Sequence, residues 1–336
     1  MNSKQIIKNV ISFSSPLRIG WDFHAAPGSD FAHVSAIRLY NEKYNGKYQW
    51  NRDAADLSVV GSFKGEVHRD IFGNIYGRLD DKTKGECLKG ILQDDWSLLE
   101  DFDFPRYDNS FEEEARKNIS LHSEKYTVSS IISPFSFVRD ARRMDNLLMD
   151  AVLEEENLLE LMVRVREQCI FQTIKVGITG CNAIVMYDDW GTQNALLMSP
   201  FHWRRFFKPT YKAICDTAHE YDMKVFLHSC GYIYEIIEDF IEIGIDALQL
   251  DQPELMGVDR LSSEFGGKIA FWCPVDIQKI MPTGNKELIE ENARNMIKKL
   301  NSFGGGFIAK DYPQWDAIGV DEKWADWARK IFEKGI

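Results

Sequence analysis

The sequence predicts a single (β/α)8 barrel, a TIM barrel of the α/β class, on three observations. Between residues 183 and 311, five short apolar segments alternate with longer segments of helical periodicity. This alternation indicates a parallel sheet, because parallel strands need crossover connections. The five segments stay apolar almost to their last residues, as strands buried on both faces do. Three further candidate strands in the first half bring the count to eight, which favours a closed barrel over an open sheet.

The first half of the chain carries the less regular elements. Its N-terminal segment has three isoleucines and a valine on one helical face and predicts an amphipathic helix. Candidate strands lie at residues 17–23, within residues 57–70 and at residues 126–132. Residues 66–79 also have the pattern of a β-hairpin, with the Gly73-Asn74 pair at its turn.

In the second half of the chain the sequence predicts strands and helices in regular alternation. Two further helices are predicted just before the first of these strands. The expected strands are residues 183–189, 224–230, 246–251, 269–276 and 306–311. The expected helices are residues 137–148, 151–172, 200–221, 232–243, 257–265 and 285–302. No linker or internal repeat interrupts the sequence, so residues 1–336 are predicted to form one barrel domain with an N-terminal helical and hairpin elaboration.

Composition restricts the class of protein. The chain has 336 residues, of which 44% are hydrophobic, and a formal net charge of −12. Such an acidic chain repels phosphate backbones, so nucleic-acid binding is not expected. No stretch approaches the roughly 20 apolar residues that span a bilayer, and the N-terminus is too polar for a secretory signal. The six cysteines are scattered, and we expect a reduced, cytoplasmic protein without a membrane partner.

Reactive side chains follow the predicted strands. In a (β/α)8 barrel the carboxyl ends of the strands converge on one face, and that face holds the active site. A single Asp after a strand more often caps a helix or a loop, which accounts for one or two of these residues but not for all of them. The strand ends carry Asp22 and His24, Asp188 and Asp189, His228 and Cys230, Asp251, Cys273 and Asp276, and Lys310 and Asp311.

The His228-Ser229-Cys230 segment predicts a metal site. Residues i and i+2 of a strand point to the same face, so the imidazole and the thiol are directed at one point. Both are ligands that Zn²⁺ prefers, and a catalytic zinc needs three protein ligands and an open position. By itself the spacing is weak, since buried Cys and hydrogen-bonded His are common. Cys273 or Asp311 is expected to supply the third ligand, and Asp311 is favoured because it ends its strand while Cys273 lies deeper.

The DDWGTQ segment at residues 188–193 is a second cluster. Adjacent carboxylates repel, so one of Asp188 and Asp189 can keep a raised pKa and act as an acid. Strand alternation allows only one of them to enter the pocket, while the other holds the loop. Trp190 offers a flat face to a ligand, or else is a core residue beside a capped loop.

Six segments taken together resemble the uroporphyrinogen-decarboxylase-like superfamily. They are DDWGTQ, SPFHWRRFFKPTYK, KVFLHSCG, IGIDALQLDQPE, FWCPVDIQ and GGGFI. The resemblance is continuous from about residue 180 to residue 312 and implies a (β/α)8 barrel.

Two branches of that superfamily imply different reactions. Uroporphyrinogen decarboxylase proper carries an R-Q-A-G-R stretch after the first strand, whereas this chain has only Arg18 there, with Asp22 poised to repel substrate carboxylates. Zinc-dependent methyltransferases that work with corrinoid proteins share an H-x-C strand end and a later Cys on the last barrel strand. His228 and Cys230 match the first two ligands, but Asp311 and its neighbours stand where that Cys is expected.

The resemblance therefore implies a zinc-dependent methyltransferase that moves a methyl group between a small methylated compound and a corrinoid (cobalamin) protein, with methoxylated aromatics as the first substrate class. The alternatives are decarboxylation of a tetrapyrrole-like acid and a non-catalytic barrel that binds a tetrapyrrole or corrinoid; a homodimer is left open. The residues expected in catalysis are Asp188, Asp189 and Asp251. Those expected to bind substrate are Asp22, His24, Trp190, Gln193, Gln249 and Trp272. The expected zinc ligands are His228, Cys230, Asp311 and Cys273.

Overall fold

The structure is a computed structural model, and it describes residues 1–23, 28–44, 50, 61, 63–81, 85–153 and 155–335. The strands are β1 Gly20–Asp22, β2 Phe31–His33, β3 Leu39–Tyr40, β4 Glu66–Arg69, β5 Ile75–Arg78, β6 Glu86–Lys89, β7 Arg106–Tyr107, β8 Tyr126–Ser130, β9 Ala183–Tyr187, β10 Lys224–His228, β11 Ala247–Gln249, β12 Ala270–Cys273 and β13 Phe307–Lys310. The helices are α1 Ser3–Ile11, α2 Glu112–Leu121, α3 Pro134–Arg142, α4 Met144–Leu153, α5 Glu156–Gly177, α6 Pro200–Phe206, α7 Lys208–Glu220, α8 Ile237–Ile243, α9 Val258–Phe265, α10 Lys286–Leu300 and α11 Glu322–Lys334.

Eight parallel strands form a nearly closed barrel, as the sequence predicts. Their order in the sheet is β1-β13-β12-β11-β10-β9-β8-β2, so that β1 and β2 are the two ends of the sheet. Helices follow the strands from β8 onward and pack on the outside. Each strand runs in the same direction, so all carboxyl ends meet at one mouth.

The second barrel strand is not where the sequence analysis places it. It is β2, which pairs in parallel with β8, and not a segment within residues 57–70. Part of that segment lies outside the described residues. The rest includes β4, which pairs with β5 in a small antiparallel sheet completed by β6. A tight turn through Gly73 and Asn74 makes this pairing local, so the predicted hairpin is confirmed while the predicted barrel strand is wrong.

Two predicted helices are each divided in two. The segment predicted at 137–148 is divided between α3 and α4 at Arg143, which adopts a positive φ of 67°. The segment predicted at 200–221 is divided between α6 and α7, where Pro209 removes a backbone donor. Within the described part of the chain, no helix has the length and apolar character needed to cross a lipid bilayer.

The barrel interior is filled from its amino end by the first helix. Val10 accepts a backbone hydrogen bond from Gly306, just before β13, and Lys4 donates one to Glu124, just before β8. A Cβ on Gly20 would lie 2.6 Å from Ile7, so only glycine lets α1 approach β1 this closely. The apolar face of α1 joins an interior core of Phe31, Tyr126, Val128, Ala183, Val185, Phe226, Ala247, Ala270, Trp272 and Ile308. Polar residues are therefore left to the opposite end, the carboxyl mouth.

Candidate metal-binding active site

Two loops at the carboxyl ends of β9 and β10 cross in backbone contact. Gly191 donates its N–H to the carbonyl of Cys230 at 3.1 Å. A Cβ on Gly191 would lie 2.4 Å from the backbone nitrogen of Tyr232, and one on Gly231 would lie 2.2 Å from the carbonyl oxygen of Gly191. Gly231 also has a φ of +83°. Both positions need glycine, and the crossing brings Asp189 of the first loop against Cys230 of the second.

His228, Cys230 and Asp189 form a three-donor group at this crossing. The Nε2 atom of His228 lies 3.1 Å from Oδ1 of Asp189 and 3.4 Å from Sγ of Cys230. Asp189 Oδ1 also accepts the backbone N–H of Cys230 at 2.9 Å. One ligand atom from each residue lies within 4.8 Å of the others, and among the described residues no other group of His, Cys, Asp and Glu meets that condition.

The donor set fits zinc. Tetrahedral bonds of the lengths usual for zinc place two donor atoms about 3.3–3.8 Å apart, and the two measured separations are within a few tenths of an ångström of that range. Imidazole nitrogen, thiolate sulfur and carboxylate oxygen are all ordinary zinc ligands, and three of them leave a position open. The Asp189 side chain is 48% exposed, so the group is reached from the mouth.

The three groups alter one another's ionisation. Burial alone would lower the pKa of His228, but hydrogen bonds to Asp189 and Cys230 raise it to about 10. Burial alone would raise the pKa of Asp189, but the same contact with His228 and the Cys230 backbone N–H lower it to about 2. A cation is therefore already favoured at this point, since the metal-free protein holds a proton there in its place.

Behind His228, a hydrogen-bonded chain fixes the orientation of its ring. Gln249 donates its Nε2 to Asp251 at 2.6 Å, and Asp251 also lies 3.3 Å from Nζ of Lys310. With its amide nitrogen directed at Asp251, Gln249 turns Oε1 towards Nδ1 of His228 and accepts a hydrogen bond from it. His228 therefore keeps a proton on Nδ1, and a metal would replace the second proton, which Nε2 carries in the metal-free protein. In this arrangement Gln249 and Asp251 hold the His228 ring, while their expected roles in substrate binding and catalysis stay predictions.

Gln249→Leu should weaken zinc binding by about 10- to 100-fold, as loss of an outer hydrogen bond to a ligating His typically does. The apolar side chain cannot accept from Nδ1, so the His228 ring loses its fixed orientation. Competition with a chromophoric chelator measures the affinity. Gln278→Leu, a change at an exposed amide whose side chain contacts Gln252 rather than His228, is the control and should keep wild-type affinity. Equal affinities of all three proteins would contradict the orienting role.

Asp311 and Cys273, the expected third ligands, face away from this group. Asp311 follows β13 and pairs with Arg329 of α11 at 2.9 Å, in the layer between the sheet and the helices. Burial raises its pKa to about 6 even beside that arginine. Cys273 belongs to the outer core between strands and helices, where burial raises the pKa of its thiol. Lys310 faces the barrel interior, where its Nζ lies 3.3 Å from Asp251 and 5.8 Å from the centroid of the Trp272 ring. Strand alternation therefore turns the next residue, Asp311, outward.

Asp188 and Trp190 are structural residues. Asp188 is fully buried and accepts hydrogen bonds from Ser136 N at 2.7 Å and Tyr211 Oη at 2.6 Å, so it holds the start of α3. Trp190 has no exposed surface and stacks on Phe135 with ring centroids 3.8 Å apart. Of the paired aspartates only Asp189 reaches the mouth, as strand alternation predicts, and neither Asp188 nor Trp190 can touch a substrate there.

The other expected substrate residues have different surroundings. Asp22 is buried at the mouth, and both of its carboxylate oxygens lie 3.2 Å from Nε2 of His33. Trp272 forms the floor of the mouth, stacked on Phe31 at 5.8 Å, and its indole N–H has no acceptor among the described residues. Gln193 is exposed in the loop after β9. His24 lies outside the described residues.

Comparison with known proteins identifies the family. Residues 114–310 match the family described as uroporphyrinogen decarboxylase (URO-D). The chain belongs to the URO-D family. Comparison with curated proteins found no matching sequence. Among solved structures, a methyltransferase from Methanosarcina mazei matches with a TM-score of 0.66 and 12% identity, over 99% of each chain. A D-allulose 3-epimerase from Methylomonas sp. matches with a TM-score of 0.39 and 12% identity, over 66% of this chain and 89% of that one.

Two carboxylates determine the charges around the first strand. Arg18 forms two hydrogen bonds of 2.7 Å with Asp30 and lies 3.5 Å above the Trp21 ring. Its guanidinium is therefore held against Asp30, while the charge nearest the mouth on this strand is the carboxylate of Asp22. This is a poor surface for a substrate that carries several carboxylates.

Three mouth residues were not among the expected site residues. The Tyr187 ring lies 5.8 Å from the His228 ring, and burial and the charges of Asp22 and Asp251 raise its pKa to about 12. Tyr312 is close enough for the charges of Asp251, Cys230 and Asp189, after burial, to raise its pKa. His33 is the partner of Asp22. The sequence signal for Tyr187 was present, since it precedes Asp188 at the end of a predicted strand.

Proposed function

We propose that this chain is a zinc-dependent methyltransferase that moves a methyl group between a small methylated compound, such as a methoxylated aromatic, and a corrinoid carried by a partner protein. The observation that carries the proposal is the three-donor group of Asp189, His228 and Cys230 at the barrel mouth. Membership of the URO-D family and the shared fold with a methyltransferase support it.

The residues of the mouth have distinct tasks in this reaction. Asp189, His228 and Cys230 would hold the metal, and Gln249 would keep Nε2 of His228 directed at it. Bound zinc supplies Lewis acidity to the methyl-bearing heteroatom and makes it a better leaving group. The heteroatom would keep the bonding electron pair, and the methyl group would pass to the corrinoid of the partner protein. Trp272 closes the floor and Tyr187 one wall, which limits the water that reaches the reacting atoms.

Decarboxylation of a tetrapyrrole acid is the weaker alternative. It requires cationic groups for the substrate carboxylates, and Arg18, just before the first strand, is already paired with Asp30. The Asp22 carboxylate at the mouth would oppose such a substrate. A barrel that binds a tetrapyrrole without catalysis has no need of a three-donor metal group.

Methyl transfer tests the proposal directly. The zinc-loaded protein is incubated with a methoxylated benzene and a reduced cobalamin, and methylation is followed by absorbance and by release of the phenol. We expect turnover by the wild type and a loss of about 100-fold or more in His228→Ala, since the metal is lost. Asp311→Asn, a carboxylate change outside the donor group, should retain turnover.

A parallel incubation with uroporphyrinogen, without air, tests the alternative. We expect no coproporphyrinogen. Its formation at about 1 per second or faster would identify a decarboxylase instead. Stoichiometric zinc with neither reaction would contradict the proposed substrates but not the metal site, whereas absence of zinc would contradict the proposal as a whole.

A further inference from the structure

A cavity of about 470 Å³ lies beside the mouth, between the small antiparallel sheet and the end of β8. This volume is within the usual range for pockets that bind small organic molecules. One side is formed by the turn between β4 and β5 and the other by the segment that joins β8 to α3. Its walls include Asp70, Phe72, Tyr76, Ser133, Phe137 and Asp140.

Tyr187 connects the wall of the cavity to the metal group. Ser133 and Ser136 both line the cavity, and both hold the backbone of Tyr187. The Ser133 hydroxyl accepts the Tyr187 N–H at 2.8 Å, and the Ser136 hydroxyl donates to the Tyr187 carbonyl at 2.7 Å. The Tyr187 ring in turn lies 5.8 Å from the ring of His228. The cavity wall and the metal group therefore have Tyr187 as a common neighbour.

The charges in the cavity wall are negative. Asp70 and Asp140 line it, and no Lys, Arg or His is among its described lining residues. Asp140 is paired with Arg139 at 2.8 Å, which offsets its charge. Among the described residues Asp70 has no cationic partner: its Oδ1 accepts three backbone N–H groups of the turn, and its Oδ2 accepts Asn74 Nδ2 at 2.9 Å. Burial raises the pKa of Asp70, so a cation near Oδ2 stabilises the ionised form.

The remaining walls suit an aromatic ring. Phe72 and Phe137 meet edge to face with centroids 5.0 Å apart, and Tyr76 is fixed beside them by its hydrogen bond to Asp140. Aromatic faces attract both other rings and organic cations. Gln172 is a buried wall residue, and its Nε2 has no acceptor among the described residues.

We infer that this cavity binds the cationic end of a small aromatic ligand, with an ammonium group near Asp70 and the ring against Phe72 and Phe137. In combination with the proposed function, on which this part of the inference depends, the methyl-bearing end of that ligand reaches the metal group past Tyr187. The methylated substrate is then an aromatic amine carrying a remote methoxy group, and not an aromatic acid.

Three probes of one shape and different charge test the inference. They are 4-methoxybenzylamine, 4-methoxybenzyl alcohol and 4-methoxybenzoate, whose binding to the full-length protein is measured by calorimetry. We expect the amine to bind about tenfold or more tightly than the benzoate, with the alcohol between them, as one partly screened carboxylate nearby can produce. Asp70→Asn should remove most of the preference for the amine over the alcohol.

Three further variants complete the test. As a control, Asp145→Asn changes an exposed carboxylate at the start of α4 and should leave all three affinities unchanged. Asp140→Asn leaves Arg139 without its carboxylate and should favour the benzoate, which gives a second test if Asp70→Asn does not fold. Binding is also measured in His228→Ala, so that loss of metal or of turnover is separated from loss of the cavity. Equal or tighter binding of the benzoate by the wild type, or an amine preference unchanged in both cavity variants, would overturn the inference.

Discussion

Asp189→Ala, His228→Ala and Cys230→Ala should each lower zinc affinity by about two orders of magnitude or more, since each removes one of three protein ligands. Elemental analysis after purification without chelator should find about one zinc per chain in the wild type and well below that in the variants. This result follows from the 3.1 Å and 3.4 Å separations of their donor atoms around His228 Nε2.

Two matched variants serve as controls. Cys273→Ala removes a thiol from the outer core and should keep the metal, at the cost of a small cavity and about 1 kcal/mol of stability. Asp311→Asn changes the carboxylate that pairs with Arg329 and should also keep it. If Asp311→Asn loses zinc while Asp189→Ala retains it, the third ligand is Asp311, as the sequence predicts, and the assignment of Asp189 is wrong.

Asp188→Ala should lower the free energy of unfolding by about 3 kcal/mol and leave zinc binding intact in the folded protein. The substitution removes the acceptor for Ser136 N–H and Tyr211 Oη–H in a fully buried position. Part of the loss is offset, because burial raises the pKa of Asp188 and its charge is costly to keep there.

Urea unfolding followed by circular dichroism measures this effect, and the adjacent Asp189→Ala is its control. The Asp189 side chain is 48% exposed but pairs with His228, so its removal from the metal-free protein should cost less stability than the Asp188 substitution. The two neighbours thus have opposite signatures, stability for one and metal for the other. A similar loss of stability in both variants would contradict the assignment of a structural role to Asp188 and a metal-binding role to Asp189.

The sequence was most informative where strand geometry alone decides the outcome. His228 and Cys230 were paired by their i and i+2 spacing, and the structure brings their ligand atoms together. The same rule could not place Lys310 and Asp311. All four residues of β13 are buried, so the strand lacks the alternation of apolar and polar residues that would distinguish its inner face from its outer face.

Two further features could not be found by periodicity. The barrel strand β2 has three residues, which is too short to show any period. Asp189 joins the donor group through a backbone crossing of two loops, which depends on Gly191 and Gly231 far apart in the sequence. Glycine at both positions is compatible with many turns, and only the three-dimensional structure shows that they touch.

The packing of α1 into the amino end of the barrel has a consequence for the order in which substrate and partner protein bind. With Ile7 packed against β1 and Val10 hydrogen-bonded just before β13, the amino end of the barrel is closed, and the metal group lies at the opposite, carboxyl end. Under the proposed function, the partner protein therefore has to dock at the same end of the barrel by which the small molecule reaches the metal. The small molecule must then bind before the partner protein and dissociate after it. Methyl transfer should therefore follow a compulsory-order mechanism, in which the docked partner covers the bound small molecule.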